Sequence, residues 1–183
     1  MPQAQRFGAC STYGTTMALT ANTVLLFGAT GDLAQRMLLP SLFALHADRL
    51  LPPDLAIVGT ARTDISDDDF RALAGAALAK YLPLDRHSSV ANSDFLKRLR
   101  YTASDASDPK SFAGLLKSLG NGDGRPIAVL LSIAPSLFKQ AISGLQSAGL
   151  TGDEARIGLE KPLGHDLASF RVIDDAVRAA FPE

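Results

Sequence analysis

Two glycines, Gly28 and Gly31, followed by the small Ala34, come directly after a short apolar run from Thr23 to Phe27. The chemistry this arrangement offers is the holding of a nucleotide pyrophosphate. Such a group needs backbone N–H donors brought up to its oxygens. It also gains from a helix N-terminus aimed at it, where unpaired donors and the macrodipole favour negative charge. Gly28 and Gly31 lack the Cβ that would block that approach, and Ala34 lets a helix pack close to the strand. The spacing is G-x-x-G-x-x-A and not G-x-G-x-x-G, so the general dinucleotide fingerprint is met only loosely. As a bare pattern it also describes a strand–turn–helix with no ligand.

Two cations add to this. Arg62 lies in Thr60-Ala61-Arg62-Thr63, just after the apolar Leu55–Gly59, with Asp64 close behind. An acidic residue nearest that strand end would accept from a ribose 2′-hydroxyl. An arginine can instead grip a 2′-phosphate through two parallel charge-assisted hydrogen bonds. On residue type alone, a solvated loop arginine is the commoner outcome. Lys161, after Arg156–Glu160, could donate to a sugar hydroxyl or meet a phosphate as a point charge. Asp105, after Leu99–Ala103, is equally a ligand contact or a turn and capping aspartate. His165 stands near Lys161, but a loop histidine before a helix cap is the commoner reading. His46, His87 and His165 show no metal-ligand spacing, and no metal site is expected.

The elements that must position these residues alternate between strand and helix. Thr23–Phe27, Leu55–Gly59, Leu99–Ala103, Ile127–Ser132 and Arg156–Glu160 read as strands, the first, second and fourth as continuously apolar as buried parallel strands are. Between them the pattern predicts a helix over Leu33–Leu51, kinked or broken at Pro40 and stopped by Pro52-Pro53. Ser66 followed by Asp67-Asp68-Asp69 predicts an N-cap with carboxylates in the first turn, on a helix reaching about Leu82. A short helix follows around Ser93–Lys97. Asp108-Pro109 starts another through Leu119, Gly120–Gly124 makes a turn, and Ile133-Ala134-Pro135-Ser136 leads into a helix ending near Gly149. The closing helix, Leu167–Phe181, is expected to put Leu167, Phe170, Ile173 and Val177 on one buried face. Gly158 inside the last strand suggests a close backbone approach. The fold class is therefore α/β, a Rossmann-like doubly wound parallel sheet over residues 22–183. Residues 1–21 are small and polar without periodicity and are expected to be a disordered extension, with Met17 as a second candidate start.

Composition narrows the function. A chain of 183 residues with 46% hydrophobic and 20% charged residues can bury one substantial core. A net charge of −1 argues against a broad nucleic-acid or membrane-surface patch, and no apolar run approaches the roughly 18 residues of a membrane span. The one cysteine, Cys10, excludes an internal disulfide and suits a reducing cytoplasm.

Read together, four strings and one single position carry a resemblance. Gly28-Ala29-Thr30-Gly31-Asp32-Leu33-Ala34 closely resembles the G-A-[ST]-G-D-L-A turn of glucose-6-phosphate dehydrogenases, although Met37 stands where a lysine is common. VGTARTD is similar to that family's [GA]-x-[AS]-R-[ST], and LLSIAPSLF to its Y-L-[AS]-[LM]-[AP]-P-[ST]-x-[FY]. Asp105 falls at the matching third strand end, and EKPLGHD matches E-K-P-[FL]-G-x-D. The resemblance implies NADP as cofactor, held by Gly28, Ala29, Thr30, Gly31, Asp32 and Leu33. Arg62 would take the 2′-phosphate, Asp105 the adenine edge, and Ala134 with Pro135 would lie beside the nicotinamide and its ribose. Lys161 would contact both cofactor and glucose 6-phosphate. It also implies oxidation of the sugar at C1 to a lactone, at the head of the oxidative pentose phosphate or Entner–Doudoroff route.

The family's catalytic block, D-H-Y-L-G-K, does not occur in these residues. The chain is therefore expected to lack both a catalytic residue and the C-terminal α+β domain, to be inactive alone, and to self-associate through surface left open. Two other readings compete. One is a sugar dehydrogenase of the glucose–fructose oxidoreductase type, which shares E-K-P but usually carries G-x-G-x-x-G. The other is a module that binds NADP and catalyses nothing. A short-chain dehydrogenase would need a Tyr-x-x-x-Lys pair, which is missing.

Overall fold

The computed structural model describes residues 21–83, 86, 89–119 and 126–182. Strands β1 (Thr23–Phe27), β2 (Ala56–Thr60), β3 (Leu99–Tyr101), β4 (Ile127–Leu131) and β5 (Ala155–Leu159) form one parallel sheet, ordered β3-β2-β1-β4-β5. β1 lies between β2 and β4, with Phe27 level with Thr60 on one side and Leu131 on the other. The helices are α1 (Leu39–Ala47), α2 (Asp67–Tyr81), α3 (Ser89–Lys97), α4 (Phe112–Ser118), α5 (Phe138–Ser147) and α6 (Leu167–Ala180).

Side chains alternate across a strand, so β1 feeds two cores. Leu25 and Phe27 join Val129, Leu131, Phe112, Phe138 and Ile142 on one face. Val24 and Leu26 join Ile57, Phe43, Phe70 and Phe95 on the other. This is why β1 reads as an unbroken apolar run. Each fully buried phenylalanine contributes roughly 1.5–3 kcal/mol relative to exposure, and six of them are fully buried. The doubly wound architecture is thus as expected.

The departures have local causes. The helix expected over Leu33–Leu51 begins near Asp32, passes through a π turn at Ala34–Leu38 and becomes α1. Pro40 has no N–H to give, and the wider turn, with Leu39 N–H donating to Ala34 O, carries the chain past it. α1 stops at Ala47, where Arg49 turns left-handed (φ 58°) and Leu50 N–H donates back to Leu45 O at 2.8 Å. α3 begins at Ser89, earlier than the expected Ser93. Its sequence is too polar to show periodicity, and Phe95, edge-on to Phe43 at 5.6 Å, anchors it. Gly158 accommodates the Leu130 side chain, which a Cβ would meet at 2.9 Å, and not an approaching backbone. On α6, Ile173 is buried, but Leu167 (63% exposed) and Phe170 (40%) are not, so the expected buried face is covered only towards its C-terminal end.

Cys10, His87, the turn at 120–124 and nearly all of the expected extension lie outside the described residues. Among the described residues no helix is long and apolar enough to cross a membrane, and no His, Cys, Asp or Glu cluster could hold a metal ion.

The Ser66 cap is present as a full capping box. Ser66 Oγ accepts from Asp69 N–H at 3.1 Å, and the Asp69 carboxylate receives the Ser66 N–H at 3.3 Å. Ser66→Ala should lower stability by about 1 kcal/mol. Chemical denaturation would show it as a lower midpoint at unchanged slope; an unmoved midpoint would mean the box contributes nothing measurable.

Candidate functional site

The chain order reverses direction across the sheet between β1 and β4, and the crevice beyond the carboxyl ends at such a point is where open α/β sheets bind ligands. Here a cleft of about 360 Å³ opens over the ends of β1, β2 and β4. Gly28, Thr30 and Gly31 form one wall, Arg62 and Thr63 another, with Asp105 beyond them and Ser132, Ile133 and Ala134 opposite. Six of the expected cofactor residues, Gly28, Thr30, Gly31, Arg62, Asp105 and Ala134, therefore line a single cavity. Ala29, Asp32, Leu33, Pro135 and Lys161 are not among its lining residues. Ala29 is wholly buried. Lys161 is exposed, two residues beyond Leu159 at the end of β5, and its bond to Pro162 is cis.

The glycine turn divides its donors. Gly28 N–H and Ala29 N–H both donate to Thr60 O, at 2.8 and 3.1 Å, and Gly31 N–H donates to Gly28 O at 2.8 Å. These three amides hold the turn together. The donors left over are those of Thr30, Asp32 and Leu33, none of which has an acceptor among the described residues. The structural demand on Gly28 is also more stringent than phosphate access. Its φ is +75°, and a Cβ there would stand 2.1 Å from Ser132 O. Gln35 Nε2 donates to Thr30 O at 2.8 Å and steadies the far side of the turn. Arg36 pairs with Asp32 at 3.3 Å, both well exposed, which offsets negative charge next to the free donors.

Arg62 is exposed and makes no hydrogen bond or ion pair among the described residues. Asp105 accepts from Ser107 Oγ at 2.7 Å and from Ser107 N–H at 2.9 Å, an Asx turn. Those hydrogen bonds, with a smaller contribution from the Arg62 charge, hold its carboxyl below the usual range. It is therefore both a turn aspartate and a wall of the cleft.

Sequence reasoning overlooked Ser132, whose buried Oγ lacks a partner among the described residues. The signal available was a hydroxyl at the last position of an otherwise apolar strand segment. The backbone N–H of His165 donates to Ser169 Oγ at 2.9 Å, beside the Asp166–Ser169 capping box of α6, and its ring makes no aromatic contact among the described residues.

A parallel sheet wound on both faces, with free amides and an unpaired arginine at its switch point, defines a dinucleotide-binding α/β domain. The family model described as "Glucose-6-phosphate dehydrogenase, NAD binding domain" matches residues 25–183, and the chain belongs to that family. The chain is 50% identical over 167 residues to glucose-6-phosphate 1-dehydrogenase of Zymomonas mobilis subsp. mobilis, covering 91% of this chain and 34% of that protein. It resembles the crystal structure of glucose-6-phosphate 1-dehydrogenase from Mycobacterium avium with a TM-score of 0.76 at 30% identity, over 87% of this chain and 34% of that one. A glucose-6-phosphate dehydrogenase solved with glucose 6-phosphate aligns with a TM-score of 0.72 at 26% identity, over 89% and 35%. The chain spans about a third of the length of these relatives.

Proposed function

We propose that this chain is the NADP-holding part of a cytoplasmic enzyme that oxidises glucose 6-phosphate at C1. The observation that carries this reading is the juxtaposition, around one cleft, of the glycine turn with its spare donors and the unpaired Arg62 guanidinium. Thr30, Asp32 and Leu33 N–H groups, at the start of the helix that leads into α1, suit the pyrophosphate. Arg62 suits a ribose 2′-phosphate, where its planar fork can give two parallel bonds. Asp105 borders the adenosine end, and Ser132 through Pro135 border the nicotinamide ribose. Lys161, just beyond β5, is assigned to both the cofactor and glucose 6-phosphate. The nicotinamide ring supplies the hydride chemistry when NADP is bound; the chain's own residues bind and orient.

A module that binds NADP without catalysis is the second reading. It is favoured by one observation: among the described residues the ionisable side chains lining the cleft are Arg62 and Asp105, and hydrogen bonds from Ser107 hold the Asp105 carboxyl below its usual range.

The test is cofactor titration of Arg62→Ala. Losing charge-assisted hydrogen bonds worth roughly 1.5–3 kcal/mol should weaken NADP about 10–150-fold and leave NAD nearly unchanged. Equal losses for the two cofactors would show that Arg62 supports the fold and does not select the phosphate.

A further inference from the structure

We infer that Tyr101 is a positioning residue for Arg62: its hydroxyl grips the peptide carbonyls on both sides of that arginine and sets the direction from which the guanidinium meets a 2′-phosphate. The inference rests on the proposed role of Arg62 and extends it to a side chain some 40 residues away in the chain.

The geometry is specific. Tyr101 closes β3, and its hydroxyl lies 2.6 Å from Thr63 O and 3.2 Å from Ala61 O. One proton is thus shared between the residue before Arg62 and the residue after it. Ser104 N–H adds a third hold, donating to Ala61 O at 3.0 Å. The Arg62 side chain makes no hydrogen bond or ion pair among the described residues, so the conformation of residues 61–63 decides where its charge goes. A long, rotamer-rich side chain loses affinity whenever its backbone anchor wanders, because the ordering then has to come from binding.

Tyr101 is well suited to act as the anchor, since it is itself fixed from several sides. Its N–H donates to Asp67 Oδ1 at 2.7 Å at the start of α2, and its ring packs on Phe70 with centroids 5.3 Å apart. Phe70 in turn occupies the space left by Gly59, where a Cβ would stand 2.4 Å from the ring. Burial raises the phenol above its ordinary range, so the donor proton is retained across neutral pH. A strand tyrosine that merely filled the core would not need a hydroxyl here. This one reaches from β3 to the loop that follows the neighbouring β2 and bears Arg62.

Tyr101→Phe keeps the ring and removes the grip. Titrated with NADP and with NAD, the full chain carrying it should lose about 3–10-fold in NADP affinity, the range expected for one shared neutral hydrogen bond, with NAD within about twofold. Amide exchange at Ser104, whose N–H donates to Ala61 O, should quicken in the same variant while β1 and β4 stay protected. If the variant melts too low for titration at room temperature, the ratio is read in the cold with sucrose, which favours the folded state, beside the parent chain under the same conditions. An unchanged NADP-to-NAD ratio in Tyr101→Phe, or equal weakening of both, overturns the positioning role. Arg62→Ala is run alongside. If it shifts the ratio and Tyr101→Phe does not, only the positioning fails; if Arg62→Ala leaves the ratio unmoved, the assignment of Arg62 fails and takes the positioning with it.

Discussion

Given glucose 6-phosphate and NADP, the purified 183-residue chain should reduce the cofactor at least about 10²–10⁴-fold more slowly than an enzyme with a positioned general base. Hydride can leave C1 only as a proton leaves its hydroxyl, and the accepting group has to stand within hydrogen-bond reach of it. Asp105, the carboxylate on the cleft, is occupied by Ser107 and held below the ordinary carboxylate range, which makes it a weak base. His46 lies against Phe43 and Phe95, between α1 and α3, where burial lowers its pKa and keeps it neutral in the wrong place. D-H-Y-L-G-K, the block in which the resemblance would place a base, does not occur in these 183 residues. The rate is followed by the near-ultraviolet absorbance of the reduced nicotinamide. Turnover at an enzyme-like rate would refute the expectation and make His165, close to Lys161 in sequence, the first side chain to replace.

Gly28→Ala should cost about 2–6 kcal/mol, combining left-handed backbone strain of roughly 1–3 kcal/mol with overpacking of similar size. The new methyl would meet the Ser132 carbonyl at 2.1 Å, a contact that only backbone movement can relieve. That carbonyl belongs to the residue whose N–H donates to Phe27 O at 3.0 Å, so the movement would unsettle the pairing of β1 and β4 at the mouth of the cleft. Against a typical domain stability of about 5–15 kcal/mol this is a large fraction. Thermal and urea melts check it, with Gly114→Ala as the control, since a Cβ at Gly114 meets nothing within 4 Å. Equal stability of the two variants would show that the turn relaxes far more easily than its geometry implies.

The sequence revealed the strands better than the reasons for them. β1 and β2 were readable because they are buried on both faces, and β4 because it is buried on one face and partly covered on the other, which leaves apolar runs that need no partner to interpret. Gly28 was identifiable as a required glycine, yet for a reason centred on phosphate access. The tighter constraint is Ser132 on β4, and the donors of Gly28 and Ala29 go to Thr60 on β2. No reading of one strand–turn–helix can assign such donors, because their acceptors arrive from elsewhere in the chain. Tyr101 was passed over for the same reason: its partners lie 38 and 40 residues back. Leu167 and Phe170 were misjudged because periodicity shows which side of α6 is apolar, and not how far along that side the neighbours reach.

The two amides of Gly28 and Ala29 that converge on the Thr60 carbonyl have a consequence for how cofactor choice can change over time. Thr60 faces the glycine turn through its carbonyl, while the very next residues leave β2 as the loop bearing Arg62. On the proposed assignment, the pyrophosphate floor and the ribose selector are therefore inherited on separate stretches joined at a single peptide group. Lineages, or protein engineers, can rewrite positions 61–64 to prefer a hydroxyl over a phosphate while Thr60 goes on holding the floor in register. A replacement that bends the chain at Thr60 itself would disturb both cofactors at once, which makes that peptide the boundary of the exchangeable unit.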